Sequence, residues 1–224
     1  PRNARIRGFL EDRLRAEIVV VPSPTAGNRA QRVMGQIRLA LTARKSFSLV
    51  ILSEFSLLYA IAAKLAALRS RAPLVVDFFV GLEETEIGDF KEHSSRSLRA
   101  RLLRFTDALA TRMASFCLTD TEVRARRFSL RFRRDFLALP VGAPDWARGV
   151  KLKEPEIDVL YYGSYLPLHD VPLLIRAIAL MPPTGLPSVF VGDGPYRAST
   201  EALARDLGLE GRVVFRDPVA PSEL

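Results

Sequence analysis

Two glycine-bearing loops in the second half of the sequence have the residue types and spacing of a phosphate site. Residues 163–170 and 192–195 each join an apolar, strand-like run to an amphipathic, helix-like run. Glycine lets a backbone approach a ligand closely, and the following helix offers unpaired N–H groups and a partial positive charge. In open α/β sheets, ligands bind at such strand-to-helix loops. The pair therefore predicts a diphosphate site, while each loop alone also fits an ordinary turn.

The first of these loops contains His169, one of only two histidines in the chain. An imidazole can donate hydrogen bonds to phosphate, and a neighbouring anion raises its pKa. The alternative is that His169 packs against Tyr165. Asp170 is predicted to cap the helix that begins near Val171, and its negative charge should weaken phosphate binding. Neither loop matches G-x-G-x-x-G or G-x-x-x-x-G-K-[ST], which argues against dinucleotide-binding and P-loop sites.

The elements that must position these loops follow an alternating pattern along the whole chain. Apolar runs without clean polar alternation are typical of parallel strands covered on both faces, and amphipathic runs between them indicate helices. Strands are predicted at 17–22, 47–54, 73–79, 115–120, 136–142, 157–163, 187–192 and 212–215. Helices are predicted at 2–14, 28–45, 56–70, 95–114, 171–181 and 196–208. The fold class is therefore α/β with parallel sheets.

A stretch rich in Pro, Gly and mixed charge, residues 140–157, indicates a domain linker. The predicted domains are 1–148 and 149–224. The first begins with a helix that no strand precedes, so its first strand is expected to be missing. The second ends at PSEL, which reads as the entry to a helix, so this domain is expected to be incomplete.

Composition narrows the functional classes. The chain of 224 residues has a net charge of +8 and one cysteine, Cys117, which excludes an internal disulfide. His93 and His169 lack metal-ligand spacing, so no metal site is predicted.

Arginines cluster at 96–104 and 124–134, and such clusters attract nucleic acid, anionic lipid or phosphorylated molecules, or simply keep a surface soluble. Phe128, Phe132 and Phe136 recur every four residues, as in a core-facing helical stripe.

Several motifs together resemble glycosyltransferase family 4, which has the GT-B fold. They are G-x3-P-x-H-D at 163–170, V-G-D-G-P-x-R at 191–197, R-V-V-F at 212–215 and the closing PSEL. The stretches APLVVDFFVGLEET, TDALATRMASFCLTDT and ALPVGAPD resemble the acceptor domain of a bacterial subgroup whose loop reads Pro-Leu-His-Gly. The resemblance implies two Rossmann-like, doubly wound domains that face a cleft, with the second incomplete.

The resemblance also implies roles for individual residues. Ser164 and His169 stand where the wider family has an arginine and a lysine that grip the donor diphosphate. The donor-binding residues it implies are Gly163, Ser164, His169, Gly192, Gly194 and Arg197. Phe79 stands in place of a histidine of the family's catalytic site. The acidic residues nearby are Asp77, Glu83 and Glu84, of which Asp77 and Glu84 are the candidate catalytic residues. A pair of glutamates that holds the donor sugar is expected after Leu224.

The predicted activity is that of a retaining glycosyltransferase, which moves a sugar from a UDP-, GDP- or other nucleotide-sugar to a glycan, lipid-linked or small-molecule acceptor. No further cofactor is predicted. The alternatives are a non-catalytic sugar-nucleotide-binding or scaffolding protein and, third, a nucleic-acid-binding protein. The expected location is cytoplasmic, with the arginine clusters 96–104 and 124–134 meeting an anionic surface on the inner face of a membrane.

Overall fold

The computed structural model describes residues 2–89, 94–142 and 154–220 and contains two compact units. Unit 1 covers Pro1–Ala143 and unit 2 covers Pro144–Leu224. The predicted boundary after residue 148, most of the predicted linker and the closing PSEL lie outside the described residues, as does His93.

Unit 1 contains a four-stranded parallel sheet in the order β1-β2-β3-β4. Its strands are β1 Val50–Leu52, β2 Leu74–Asp77, β3 Phe116–Thr119 and β4 Phe136–Ala138. Its helices are α1 Arg2–Leu14, α2 Arg29–Thr42, α3 Ala60–Ser70, α4 Leu98–Met113 and α5 Glu122–Phe132. A 3-10 turn at Leu57–Tyr59 leads into α3, and a π-helical segment at Glu84–Asp89 follows β2.

The predicted strand at 17–22 is wrong. This segment forms no strand among the described residues, and Val19, Val20 and Val21 are exposed. A strand needs the N–H and C=O groups of a neighbour, and apolar, β-branched composition cannot supply that neighbour. The side chains of Val19 and Val21 line an apolar groove beside β1.

The aromatic stripe at 128, 132 and 136 is core-facing, as predicted, but it does not belong to one helix. Phe128 and Phe132 lie on α5, while Phe136 opens β4. Together with Phe78 they form a cluster with ring centroids 5.1–6.1 Å apart. The helix ends near Phe132 because Arg133 takes a left-handed conformation, φ 52°. The cluster therefore joins α5 and β4 to the end of β2.

Unit 2 contains a three-stranded parallel sheet in the order β5-β6-β7. The strands are β5 Val159–Tyr162, β6 Ser188–Val191 and β7 Val213–Arg216, and the helices are α6 Val171–Leu180 and α7 Arg197–Asp206. All four residues of the central strand, β6, are buried, whereas β5 alternates between partly buried and exposed residues. Every described strand pair in both units is parallel, as the sequence predicts.

Candidate functional site

The two glycine loops lie side by side at the carboxyl edge of the unit 2 sheet. Tyr162 ends β5 and Val191 ends β6, and these two residues are paired in register. The first residue of the loop after β5 is bonded to the end of β6, because the N–H of Gly163 donates to the carbonyl of Val191 at 3.0 Å. The predicted juxtaposition of Gly163 and Gly192 is therefore confirmed.

Glycine is required where these loops touch. A Cβ at Gly192, φ 143°, would lie 1.9 Å from the carbonyl oxygen of Gly163. A Cβ at Gly194, φ 151°, would lie 2.7 Å from the backbone nitrogen of Tyr165. That nitrogen donates to the carbonyl of Asp193 at 3.0 Å, and the carbonyl of Tyr165 accepts from Tyr196 at 3.1 Å. The two loops thus form one platform of interlocked backbone.

His169 is held by its own loop. Its Nδ1 contacts the carbonyl oxygen of Ser164 and lies 3.2 Å from the hydroxyl of Tyr161, which itself donates to Ser164 at 2.8 Å. Because a carbonyl only accepts, Nδ1 must carry the hydrogen in this contact. The ring is exposed and its Nε2 makes no hydrogen bond to a described residue. The contacts of the ring are therefore with Ser164 and Tyr161, and Nε2 is available for a ligand.

The prediction that Asp170 caps α6 with its side chain is wrong. Asp170 makes no side-chain cap hydrogen bond and takes a left-handed conformation, φ 42°, ψ 45°. A capping side chain needs an extended backbone and a free N–H at the second or third helical position. Here Pro172 has no N–H, and Leu173 donates to the backbone carbonyl of Asp170. The position has the left-handed backbone that glycine adopts most readily.

Arg197 ties the second loop to the rest of unit 2. Its guanidinium donates to the carbonyl of Gly192 at 3.0 Å and pairs with Glu201 at 2.9 Å and Asp217 at 2.7 Å. The hydrogen bonds that the guanidinium donates to these two carboxylates raise the pKa of Arg197. Burial raises the pKa of the neighbouring Tyr165 to about 12, so this hydroxyl stays protonated. Arg197 therefore positions the loop that contains Gly192 through a bond to its backbone.

The carboxyl edge of the unit 1 sheet is closed by Arg2 from α1. Its guanidinium forms a two-pronged pair with Asp77 at the end of β2, at 2.8 and 3.1 Å. It also donates to the carbonyls of Thr119, at the end of β3, and Leu139, just after β4. Arg2 and Asp77 are 4% and 1% exposed. Asp77, a candidate catalytic residue, is thus engaged on both carboxylate oxygens.

Glu54, which follows β1, lies near this pair and was not among the predicted site residues. Burial raises its pKa, and the carboxylate of Asp77 adds to the shift. The sequence signal was available, because Glu54 ends the predicted strand at 47–54, where α/β folds place functional groups.

The loop after β2 carries three glutamates that arginines of the two clusters hold. Glu84, the other candidate catalytic residue, lies 3.5 Å from Arg124 and 3.3 Å from Arg127. The remaining pairs are Glu83 with Arg104 and Arg131, and Glu86 with Arg29 and Arg99. Half of the clustered arginines are therefore neutralised by glutamates of the same chain.

Asp107 on α4 fixes the start of the same loop. Its carboxylate accepts the N–H groups of Leu82 at 2.9 Å and Glu83 at 3.2 Å. Burial raises its pKa to about 6, although the two backbone donors act in the opposite direction. A Cβ at Gly81 would lie 2.8 Å from this carboxylate, so the close approach requires glycine.

Among residues 2–89, 94–142 and 154–220, no three His, Cys, Asp or Glu side chains converge as metal ligands would. None of the helices found there has the length and apolar content to cross a bilayer.

No family model and no curated protein matches the chain. Among solved structures, Anabaena HepE in complex with UDP and glucose matches with a TM-score of 0.59, 19% identity and 96% of this chain covered. The lipopolysaccharide outer core galactosyltransferase WaaB matches with a TM-score of 0.55 and 18% identity over 86% of this chain. The pneumococcal O-GlcNAc transferase GtfA in complex with UDP and GlcNAc matches with a TM-score of 0.54 and 15% identity over 84% of this chain.

The chain spans 59%, 49% and 37% of the lengths of these three proteins. At such low identity the likeness shows the fold. The described units have the α/β architecture with parallel, Rossmann-like sheets that is found in GT-B glycosyltransferases.

Proposed function

We propose that this chain contributes the acceptor-side domain and part of the donor domain of a retaining family 4 glycosyltransferase. The observation that carries the proposal is the backbone platform of Gly163, Gly192 and Gly194 at adjacent parallel strand ends. Such a platform can approach a diphosphate closely, and α6 and α7 begin where the two loops end, at Val171 and Arg197. The solved structures with this fold include proteins bound to UDP, which makes UDP the first nucleotide to test.

In this proposal the donor diphosphate lies over Gly163, Ser164, Gly192 and Gly194. The ring of His169, with hydrogens on both nitrogens, donates from Nδ1 to Ser164 and from Nε2 to a phosphate oxygen. Arg197 acts by holding the Gly192 loop in place. A protein of this kind accelerates transfer by orienting donor and acceptor and by stabilising the leaving diphosphate with fixed donors. Asp77 and Glu84 remain the acidic candidates on the acceptor side. No additional cofactor enters the proposal.

Titration calorimetry of the 224-residue chain with UDP and GDP tests this site. His169→Ala should weaken binding by about 1.5–3 kcal/mol, the range for a hydrogen bond to a charged group. Two further variants separate the ring nitrogens. His169→Asn keeps a donor near Nδ1 for Ser164 and should bind as weakly as His169→Ala. His169→Gln places its amide near Nε2 and should recover part of the affinity.

Equal nucleotide affinity in the parent and all three His169 variants would remove the histidine from the site. Absence of binding to both UDP and GDP by the parent chain would contradict the proposed function.

One observation favours the second candidate, a non-catalytic sugar-nucleotide-binding protein. Both acidic candidates are engaged by arginines, Asp77 by Arg2 and Glu84 by Arg124 and Arg127. A catalytic carboxylate needs a free oxygen for its substrate. Measuring release of UDP from a UDP-sugar distinguishes the two, since a binding protein would retain the intact donor.

A further inference from the structure

The outer sides of α4 and α5 present large apolar side chains where charged ones are expected on a solvent-facing helix. On α4, Leu98, Leu102 and Phe105 are 82%, 64% and 60% exposed. Their spacing of four and three residues places them on one side of the helix. On α5, Val123 and Leu130 are 77% and 84% exposed and lie two turns apart. Exposed apolar side chains grouped in this way mark an interaction surface.

The two helices lie on the same side of the unit 1 sheet. Helix α4 connects β2 to β3, and α5 connects β3 to β4, so both crossovers step in one direction. Right-handed crossovers in the same direction place their helices on the same face. Consistently, Arg104 of α4 and Arg131 of α5 both reach Glu83.

Nine of the arginines on or beside these helices divide into two groups. Arg99, Arg104, Arg124, Arg127 and Arg131 form ion pairs with the glutamates of the loop after β2. Arg96, Arg101, Arg126 and Arg133 are exposed and have no carboxylate partner among the described residues. On α4 Arg101 lies beside Leu102, and on α5 Arg126 lies between Val123 and Leu130. Unneutralised positive charge therefore accompanies the exposed apolar side chains.

We propose that this α4–α5 face, made of these five apolar residues with Arg96, Arg101, Arg126 and Arg133, binds the surface of an anionic lipid bilayer. Apolar side chains of a basic helix enter the boundary between headgroups and acyl chains. Arginines extend their charged ends toward headgroup phosphates, and each one adds favourable binding free energy near an anionic leaflet.

Charge complementarity favours a bilayer over other occupants. Four unneutralised arginines would repel the same face of a second copy. Nucleic acid would satisfy the arginines, but Leu98, Leu102 and Leu130 would gain nothing from a phosphate backbone. A bilayer of anionic lipids satisfies both kinds of side chain at once.

Vesicle flotation tests the face with phosphatidylcholine alone and with phosphatidylcholine mixed with phosphatidylglycerol. The parent chain should float with the anionic vesicles and not with the neutral ones. High salt should reduce the binding, because the Debye length falls from about 10 Å at 0.1 M to about 3 Å at 1 M. Arg101→Gln with Arg126→Gln should lower the partition coefficient about 30-fold, the effect of two charges at an anionic surface.

Matched controls lie on unit 2. Arg176→Gln with Arg205→Gln removes the same two charges from exposed positions on α6 and α7 and should leave binding near the parent value. For the apolar side chains, Leu102→Ser with Leu130→Ser should lower binding about tenfold or more. Its control, Leu173→Ser with Leu180→Ser, changes two leucines of similar exposure on α6 and should have little effect.

Cys117, the only cysteine, is buried, so a Leu102→Cys variant can be labelled at residue 102 with an environment-sensitive dye. The dye should shift to shorter wavelength with anionic vesicles. Equal binding to neutral and anionic vesicles, or equal losses in the face and control variants, would overturn the proposal. So would dimerisation that Leu102→Ser with Leu130→Ser abolishes. Vesicle binding without nucleotide binding would keep this proposal and contradict only the proposed function.

Discussion

The carboxyl edges of the two sheets are both formed by the ends of parallel strands, but different groups lie at each edge. In unit 1, Asp77 and the carbonyls of Thr119 and Leu139 all accept from the buried guanidinium of Arg2. In unit 2, the ends of β5 and β6 pass into glycine loops, and Gly163 and His169 remain exposed. The position after a parallel strand is therefore insufficient to define a ligand site. The deciding factor is whether the protein's own donors already satisfy the acceptors there.

The largest effect should come from the buried pair that closes unit 1. Asp77→Asn leaves the charge of Arg2 buried without a carboxylate and should lower the free energy of unfolding by about 3–5 kcal/mol. The matched change in unit 2 is Asp217→Asn, which removes an exposed partner of Arg197 and should cost less than about 1 kcal/mol. Urea unfolding measures both. Similar losses in the free energy of unfolding from the two variants would contradict the proposed difference between the two sheet edges.

A second effect comes from Asp107, which holds the loop after β2 by a buried charge. Its pKa is about 6 in the folded protein, above the ordinary 3.8, so the folded state binds the proton more tightly. Stability from this group is therefore complete below about pH 4 and is lost as the pH rises to about 6, by up to about 3 kcal/mol.

Asp107→Asn removes this titration. The parent's free energy of unfolding, relative to that of the variant, should be larger at pH 4 than at pH 7. Urea unfolding at several pH values measures the difference, and a constant difference across this range would contradict the assigned pKa.

In unit 2 the two loops at the carboxyl edge of the sheet are held together by backbone contact. Gly192→Ala and Gly163→Ala impose similar strain, since φ is 143° and 150°, but only the first Cβ meets backbone, at 1.9 Å. Gly192→Ala should therefore cost about 1–3 kcal/mol more than Gly163→Ala. Thermal unfolding measures stability, and calorimetry with UDP reports whether the platform survives. Equal costs would mean that the two loops separate easily.

The smallest effect should come from Asp170, whose left-handed backbone suits glycine. Asp170→Gly should raise the free energy of unfolding by about 1 kcal/mol. It should also tighten nucleotide binding by removing a negative charge. Asp170→Asn separates the two contributions, because asparagine removes the charge without the backbone freedom of glycine. Weaker binding by both variants would mean that this carboxylate assists the ligand.

Local patterns predicted much of this structure because they report local physics. The alternation of buried and amphipathic runs predicted parallel α/β units, and the glycines after β5 and β6 predicted two adjacent loops. Strand ends at one edge of a parallel sheet must lie together once the order is right. The position of Gly163 beside Gly192 could therefore be inferred without coordinates.

The sequence determined which residues could form strands, helices and glycine loops, and that the chain carries excess positive charge. Tertiary structure alone decided that residues 17–22 form no strand, that Arg2 closes the edge at Asp77, and which arginines are neutralised. Asp77 lies 75 positions from Arg2, and Glu83 lies 48 from Arg131. Hydrogen bonds and ion pairs depend on distances in space, and residues so far apart in the chain acquire those distances only when the fold brings their elements together.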